Sequence, residues 1–132
     1  MNIDVRFPGG VAVEADLNGF TVRTDQPVES GGEGSAPSPF ALYLSSLATC
    51  AGFYALRFCQ ERNIATEGLG LSLEVDRDEE TRLPSLIRMK ITLPEDFPEK
   101  YRQAIVRATD QCAVKRSLQS PPRFEVAAEL PG

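Results

Sequence analysis

Apolar and polar residues alternate from the start of the chain: Ile3, Val5 and Phe7 are spaced by polar residues, Gly9-Gly10 breaks the run, and Val11, Val13 and Ala15 resume it up to Asn18-Gly19. A period of two interrupted by glycine predicts short antiparallel strands joined by tight turns. With Phe20–Thr24 as a third run, residues 1–24 are expected to form a β-meander. Residues 25–38 (DQPVESGGEGSAPS) keep neither period and are rich in glycine, proline and serine, which predicts a loop. A loop of this length inside a small chain is usually functional or disordered.

Ser38-Pro39 has the form of an N-cap followed by proline at the first helical position, and the apolar stretch behind it predicts a central helix over 39–62. Leu69, Leu71, Leu73 and Val75, then Ile87, Met89, Ile91 and Leu93, predict a β-hairpin over 69–93 across the acidic turn Asp76–Thr81. Pro94 and Pro98 end it, and residues 99–120 are expected to be helical in pieces, the later one carrying Cys112, Val114 and Leu118. Phe124, Val126 and Ala128 predict a last strand over 122–129. The order β-β-β-α-β-β-α-α-β is an α+β pattern with antiparallel sheet, expected as a single domain over 1–132.

Gly34 to Leu56 carries no charge and is about long enough to cross a bilayer. Pro37, Pro39, Gly52 and the polar Ser45, Ser46 and Thr49 favour a buried core helix, so no membrane association is expected. Ser45, Thr49 and Gly52 form a stripe of small residues that lets another helix approach closely, so this helix is expected to be packed on several sides.

Composition removes several classes of function. With 14 basic and 19 acidic residues the net charge is −5, and no basic run tracks a phosphate backbone, so nucleic acid is not an expected partner. The N-terminus lacks the basic and apolar regions of a signal peptide, since Asp4 and Arg6 interrupt it. There is no histidine, which excludes Ser-His-Asp, Cys-His and His-ligated metal chemistry. Catalysis, if any, must run on thiols, carboxylates or lysines.

The three cysteines are an odd count without a CxxC pair, against both a disulfide framework and a zinc site. A reducing cytoplasm fits best, and no cofactor or metal is expected. Cys50 and Cys59 lie nine residues apart, on opposite faces of one helix and about 13 Å apart along its axis, too far for a disulfide. Cys112 comes from another element and can meet either. Its place at the start of a short helix, with Lys115 and Arg116 following, suggests a lowered thiol pKa. Cys50, mid-helix, has no such help and would need an arginine from elsewhere, Arg6 or Arg23. Free cysteine is also a common buried hydrophobe, the bland alternative for each of them.

GGEGSAPSPFALYLSSLATC, followed some sixty residues later by ATDQCAVKRSL, resembles the OsmC/Ohr family of thiol-dependent hydroperoxide reductases over nearly the whole chain. The resemblance implies an intertwined homodimer, its antiparallel sheets wrapped around two central helices. Position by position it implies that Cys50 is the peroxidatic cysteine and Cys112 the resolving one, while Cys59 matches no functional position and reads as core filler. Gly31, Gly32 and Gly34 read as loop geometry rather than phosphate binding. The implied reaction reduces an organic hydroperoxide to its alcohol in oxidative stress defence, through a Cys50 sulfenic acid and a Cys50–Cys112 disulfide, with a thiol or dithiol reductant restoring both thiols. Family peroxidases carry a glutamate just after the helix-starting proline, where this chain has Phe40 and Ala41. The alternative implied by that departure is a weak or inactive relative that senses redox state or binds a small apolar ligand.

Overall fold

The computed structural model describes all 132 residues. Contacts divide them into two compact units, 1–46 and 47–132. The first unit holds a three-stranded antiparallel sheet of β1 (Asp4–Gly9), β2 (Ala12–Leu17) and β3 (Phe20–Thr24), in that order. Gly10 and Asn18 take left-handed backbone in the two connections, which is what the Gly-Gly and Asn-Gly pairs supply. Glu14 stands opposite Arg6 on one side and Arg23 on the other. Both arginines reach its carboxylate at 3.2 Å, and Arg6 also pairs with Asp16.

The loop after β3 is ordered around one carboxylate. Asp25 is buried, and it accepts hydrogen bonds from the backbone of Gln26 (2.8 Å), Glu33 (3.2 Å) and Ser35 (3.1 Å) and from the Ser35 hydroxyl (2.7 Å). The serine hydroxyl and these amides hold its pKa down to about 2. A Cβ on Gly32 would lie 2.0 Å from the Gln26 carbonyl oxygen, so this turn closes only with glycine. The glycines here shape the loop.

Helix α1 (Pro39–Glu61) opens where the Ser38 hydroxyl accepts the Ala41 N–H at 3.1 Å, an N-cap bond. It closes at Asn63, whose left-handed backbone lets the Ile64 N–H return to the Cys59 carbonyl at 2.9 Å. Its buried stripe is Leu47, Ala51, Ala55, Phe58 and Cys59. The small-residue stripe does not pack as the sequence suggests: Ser45 and Thr49 are exposed, and a Cβ on Gly52 would meet nothing within 4 Å. α1 is long and apolar enough to cross a membrane by length and composition, and 17% of its most apolar stretch is buried.

In the second unit β4 (Gly70–Arg77) and β5 (Pro84–Thr92) pair antiparallel, with Leu71, Leu73 and Val75 opposite Ile91, Met89 and Ile87. These apolar residues share one face while Glu74, Asp76 and Arg88 share the other, where Arg88 bridges to both acids. A single 3-10 turn (Glu99–Tyr101) leads into α2 (Arg102–Thr109), and α3 (Ala113–Gln119) follows directly behind Cys112. The core joins Ala55, Phe58 and Cys59 of α1 to Ile105 of α2, ringed by Leu69, Leu93, Phe97 and Tyr101.

The expected strand over 122–129 is absent: residues 121–132 carry no helix or strand, and Phe124, Val126 and Leu130 are 85%, 98% and 90% exposed. Both sheets pair only among β1, β2 and β3 or between β4 and β5, so the terminal residues have no strand partner within the chain.

Candidate thiol site

α1 carries Cys50 on a half-buried position, one turn after the buried Leu47 and directly before the buried Ala51. Cys112 occupies the N-cap position of α3 and is 1% exposed. Three backbone bonds fix that turn: its own N–H reaches the Thr109 carbonyl at 3.3 Å, its carbonyl accepts the Arg116 N–H at 3.0 Å, and the Gln111 N–H reaches the Ala108 carbonyl at 3.1 Å. The Arg116 guanidinium clasps the same turn through a 3.0 Å bond from Nε to the Gln111 carbonyl.

The fold brings Cys50 and Cys112 together, side chain to side chain, and leaves Cys59 in the core. All three are free thiols. Burial opposes a thiolate at Cys50, but the backbone N–H of Val114, the Cys112 thiol, the N–H of Ala113 and the charge of Arg116 together outweigh it, and the pKa falls below the ordinary 9.0. Cys112 moves the other way. Burial raises its pKa above 9.0, and the neighbouring Cys50 charge adds to this, against weaker help from the amides of Lys115 and Val114. Its sulfur lies 4.0 Å from the Leu47 carbonyl oxygen, so its proton has two acceptors, of which a Cys50 thiolate is the stronger. Cys59 is raised by burial, partly offset by Arg62.

This reverses the expectation drawn from local sequence. The amides at the start of α3 act on both thiols, but only at Cys50, which comes from a different helix, do they prevail over burial. The cation that acts on Cys50 within its own unit is Arg116, whereas Arg6 and Arg23 are both engaged by Glu14 in the N-terminal sheet. In the sequence Arg116 stands out only as a neighbour of Cys112. The available signal was its place four residues behind that cysteine, one helical turn away.

A pair of thiols, one biased to thiolate and one held protonated beside it, can form a disulfide once the first is oxidised. The OsmC-like protein family model matches residues 32–127, a span that includes both cysteines and the loop before α1. The chain belongs to the OsmC-like family. Solved structures of similar fold agree with this membership. A Psychrobacter arcticus protein named for osmotic stress and a detoxification response superposes with a TM-score of 0.76 at 23% identity, covering 89% of this chain and 87% of that one. An OsmC-like protein of Mycoplasma pneumoniae gives 0.68 at 16% identity, over 91% and 87%. A Legionella pneumophila organic hydroperoxide resistance protein gives 0.57 at 18%, over 89% and 88%. No curated protein matches the sequence. These likenesses establish the OsmC-like α+β fold of antiparallel sheets and helices for the chain.

Proposed function

We propose that this OsmC-like chain is a thiol-dependent peroxidase that reduces organic hydroperoxides to alcohols. The observation that carries the reading is the opposed bias of the two thiols, Cys50 toward thiolate and Cys112 toward the protonated form, in side-chain contact at the start of α3. The Cys50 thiolate attacks the terminal peroxide oxygen, the O–O bond breaks, and the alkoxide leaves as ROH after taking a proton from solvent. Cys50 is now a sulfenic acid. The Cys112 sulfur displaces its hydroxyl, water leaves with the Cys112 proton, and the Cys50–Cys112 disulfide forms. A dithiol or two monothiols restore both cysteines by exchange and are themselves oxidised to a disulfide.

A homodimer is part of the reading. Val5 and Phe7 on β1, Phe53 on α1, and Phe124 and Val126 near the C-terminus are all exposed in the single chain, more apolar surface than an isolated domain of this size usually leaves to water. A reducing cytoplasm, with its thiol donors, would keep the pair poised for turnover.

Cumene hydroperoxide added to the reduced protein should remove the Cys50 and Cys112 thiols together, spare Cys59, and yield a peptide pair joined by a disulfide on mass mapping. Cys50→Ser should abolish peroxide consumption, and Cys112→Ser should stop at the sulfenic acid. A Cys50 that stays reduced, or a Cys50→Ser protein as fast as the parent, overturns the assignment. Slow oxidation by the intact pair would favour the weak-relative reading, which the absence of a carboxylate at Phe40 and Ala41 motivates.

A further inference from the structure

The two sulfurs of the thiol pair are unequally open to an incoming reagent. Cys50 is half-buried, and Thr49 beside it and Phe53 one turn on are exposed, so that side of α1 meets solvent. Cys112 is 1% exposed, its sulfur lies 4.0 Å from the Leu47 carbonyl oxygen, and backbone hydrogen bonds to Thr109 and Arg116 hold its turn in place. It borders a cavity of about 510 Å³ between β5 and α2 that Cys50 does not line. Even from that side water scarcely touches Cys112. A thiolate sulfur is larger than a water molecule and has less room still.

Thiol–disulfide exchange is an in-line displacement, whose rate depends on access to the attacked sulfur and on the acidity of the thiol that leaves. At this pair the two factors disagree. Cys50 is the more acidic thiol and the better leaving group, which directs attack to Cys112. Access directs attack to Cys50. Acidity only scales a rate, whereas a sulfur with no room behind it is not attacked, so access decides. The penalty for expelling Cys112 also shrinks as the step proceeds. Part of what raises its pKa is the adjacent Cys50 charge, and a Cys50 bonded to the reductant carries none, while the amides of Lys115 and Val114 remain to hold the emerging thiolate.

We infer that the thiol reductant enters the oxidised site at the Cys50 sulfur and that Cys112 is the departing one. The inference rests on the Cys50–Cys112 disulfide of the proposed reaction. A reductant thiolate bonds to the Cys50 sulfur, the Cys50–Cys112 bond breaks, and its electron pair leaves with Cys112, which takes up a proton from water. The reductant's second thiolate then bonds to the first reductant sulfur and expels Cys50 as the thiolate its surroundings favour. The reductant departs oxidised to a disulfide, and both cysteines are reduced. Cys50 is thus both the nucleophile toward peroxide and the port through which the site is repaired, while Cys112 reacts only with Cys50.

The test forms the disulfide with diamide, which needs no peroxide, and then adds excess 2-mercaptoethanol. Samples are quenched with acid at successive times, free thiols are capped with a maleimide, and the peptides are mapped by mass. At the earliest times the mercaptoethanol adduct should sit on Cys50 and the maleimide on Cys112, at least about tenfold over the reverse arrangement. In urea, where neither sulfur is enclosed, the two arrangements should approach parity, which ties the preference to burial. Adducts on Cys112 in comparable or greater yield in the folded protein, a preference that survives urea, or failure of diamide to bridge the pair would overturn the inference. Adducts on Cys112 in a protein that still consumes peroxide remove this inference alone. Adducts on Cys50 in a protein that leaves peroxide untouched remove only the peroxidase reading.

Discussion

At the scale of the residue, a cysteine's neighbours in sequence are a poor guide to its chemistry. Cys112 has a helix start and two cations beside it in the chain, yet burial dominates and raises its pKa. Cys50 has none of these in sequence, yet receives the amides of Ala113 and Val114 because the fold lays α1 against the turn before α3. That Cys112 could meet Cys50 across two elements was legible from the chain. Which one would be the thiolate was not, because the deciding donors lie some sixty residues away in sequence. Iodoacetamide rates measured against pH should give Cys50 a midpoint below 9.0 and Cys112 one above it. Arg116→Gln should raise the Cys50 midpoint and slow its alkylation several-fold at neutral pH, and Arg116→Lys should restore most of the difference. A lower midpoint for Cys112 than for Cys50 would show the polarity to be wrong.

At the scale of the element, the segments that follow local rules were readable: the glycine turns of the meander, the Ser38 cap, and the alternating faces of β4 and β5. The 25–38 loop was readable as a loop but not as an ordered one. Its glycines and serines look permissive in sequence, and only the tertiary arrangement reveals that Asp25 gathers them. An aspartate at the head of such a loop is the available signal, since its short carboxylate bonds nearby amides. The consequence is a pH dependence with a definite sign. The Asp25 carboxyl titrates at about 2 when folded against 3.8 ordinarily, so its contribution to stability is intact above 3.8 and is lost as pH falls toward 2. Thermal melts across that range should show an acid-side loss in the parent that shrinks in Asp25→Asn, a variant already less stable at neutral pH. An unchanged acid limb in Asp25→Asn would assign the effect to other carboxylates. Gly32→Ala should cost at least about 2 kcal/mol, because the added methyl meets backbone that has no room to move.

At the scale of the whole molecule, the apolar residues outnumber the places this chain provides to bury them. The alternation at Phe124, Val126 and Ala128 is a strand pattern without a strand, and the small-residue stripe of α1 is a helix-packing pattern without a helix upon it. Sequence periodicity reports that a face will be covered and is silent on which chain covers it. That is why these expectations fail within one chain and become reasonable for a pair. A second copy related by a two-fold axis would give each terminal segment a strand edge to join, and each contact would occur twice. Burying a Phe or Val side chain contributes about 1.5–3 kcal/mol, so Phe124 and Val126 buried in both copies of such a pair would contribute roughly 6–12 kcal/mol to association. Sedimentation of the parent should therefore show a dimer. Phe124→Ser with Val126→Ser should raise its dissociation constant by roughly a thousandfold or more, toward monomer at micromolar concentration. The serine variant keeps chain length and backbone donors, so a change in assembly reports the side chains alone. Cys50 in the variant provides an internal control: its alkylation midpoint depends on donors from 47–132 of its own chain and should hold if that unit remains folded. A monomeric parent, or a serine variant that sediments like the parent, would show that the terminal pattern serves neither a strand nor an interface.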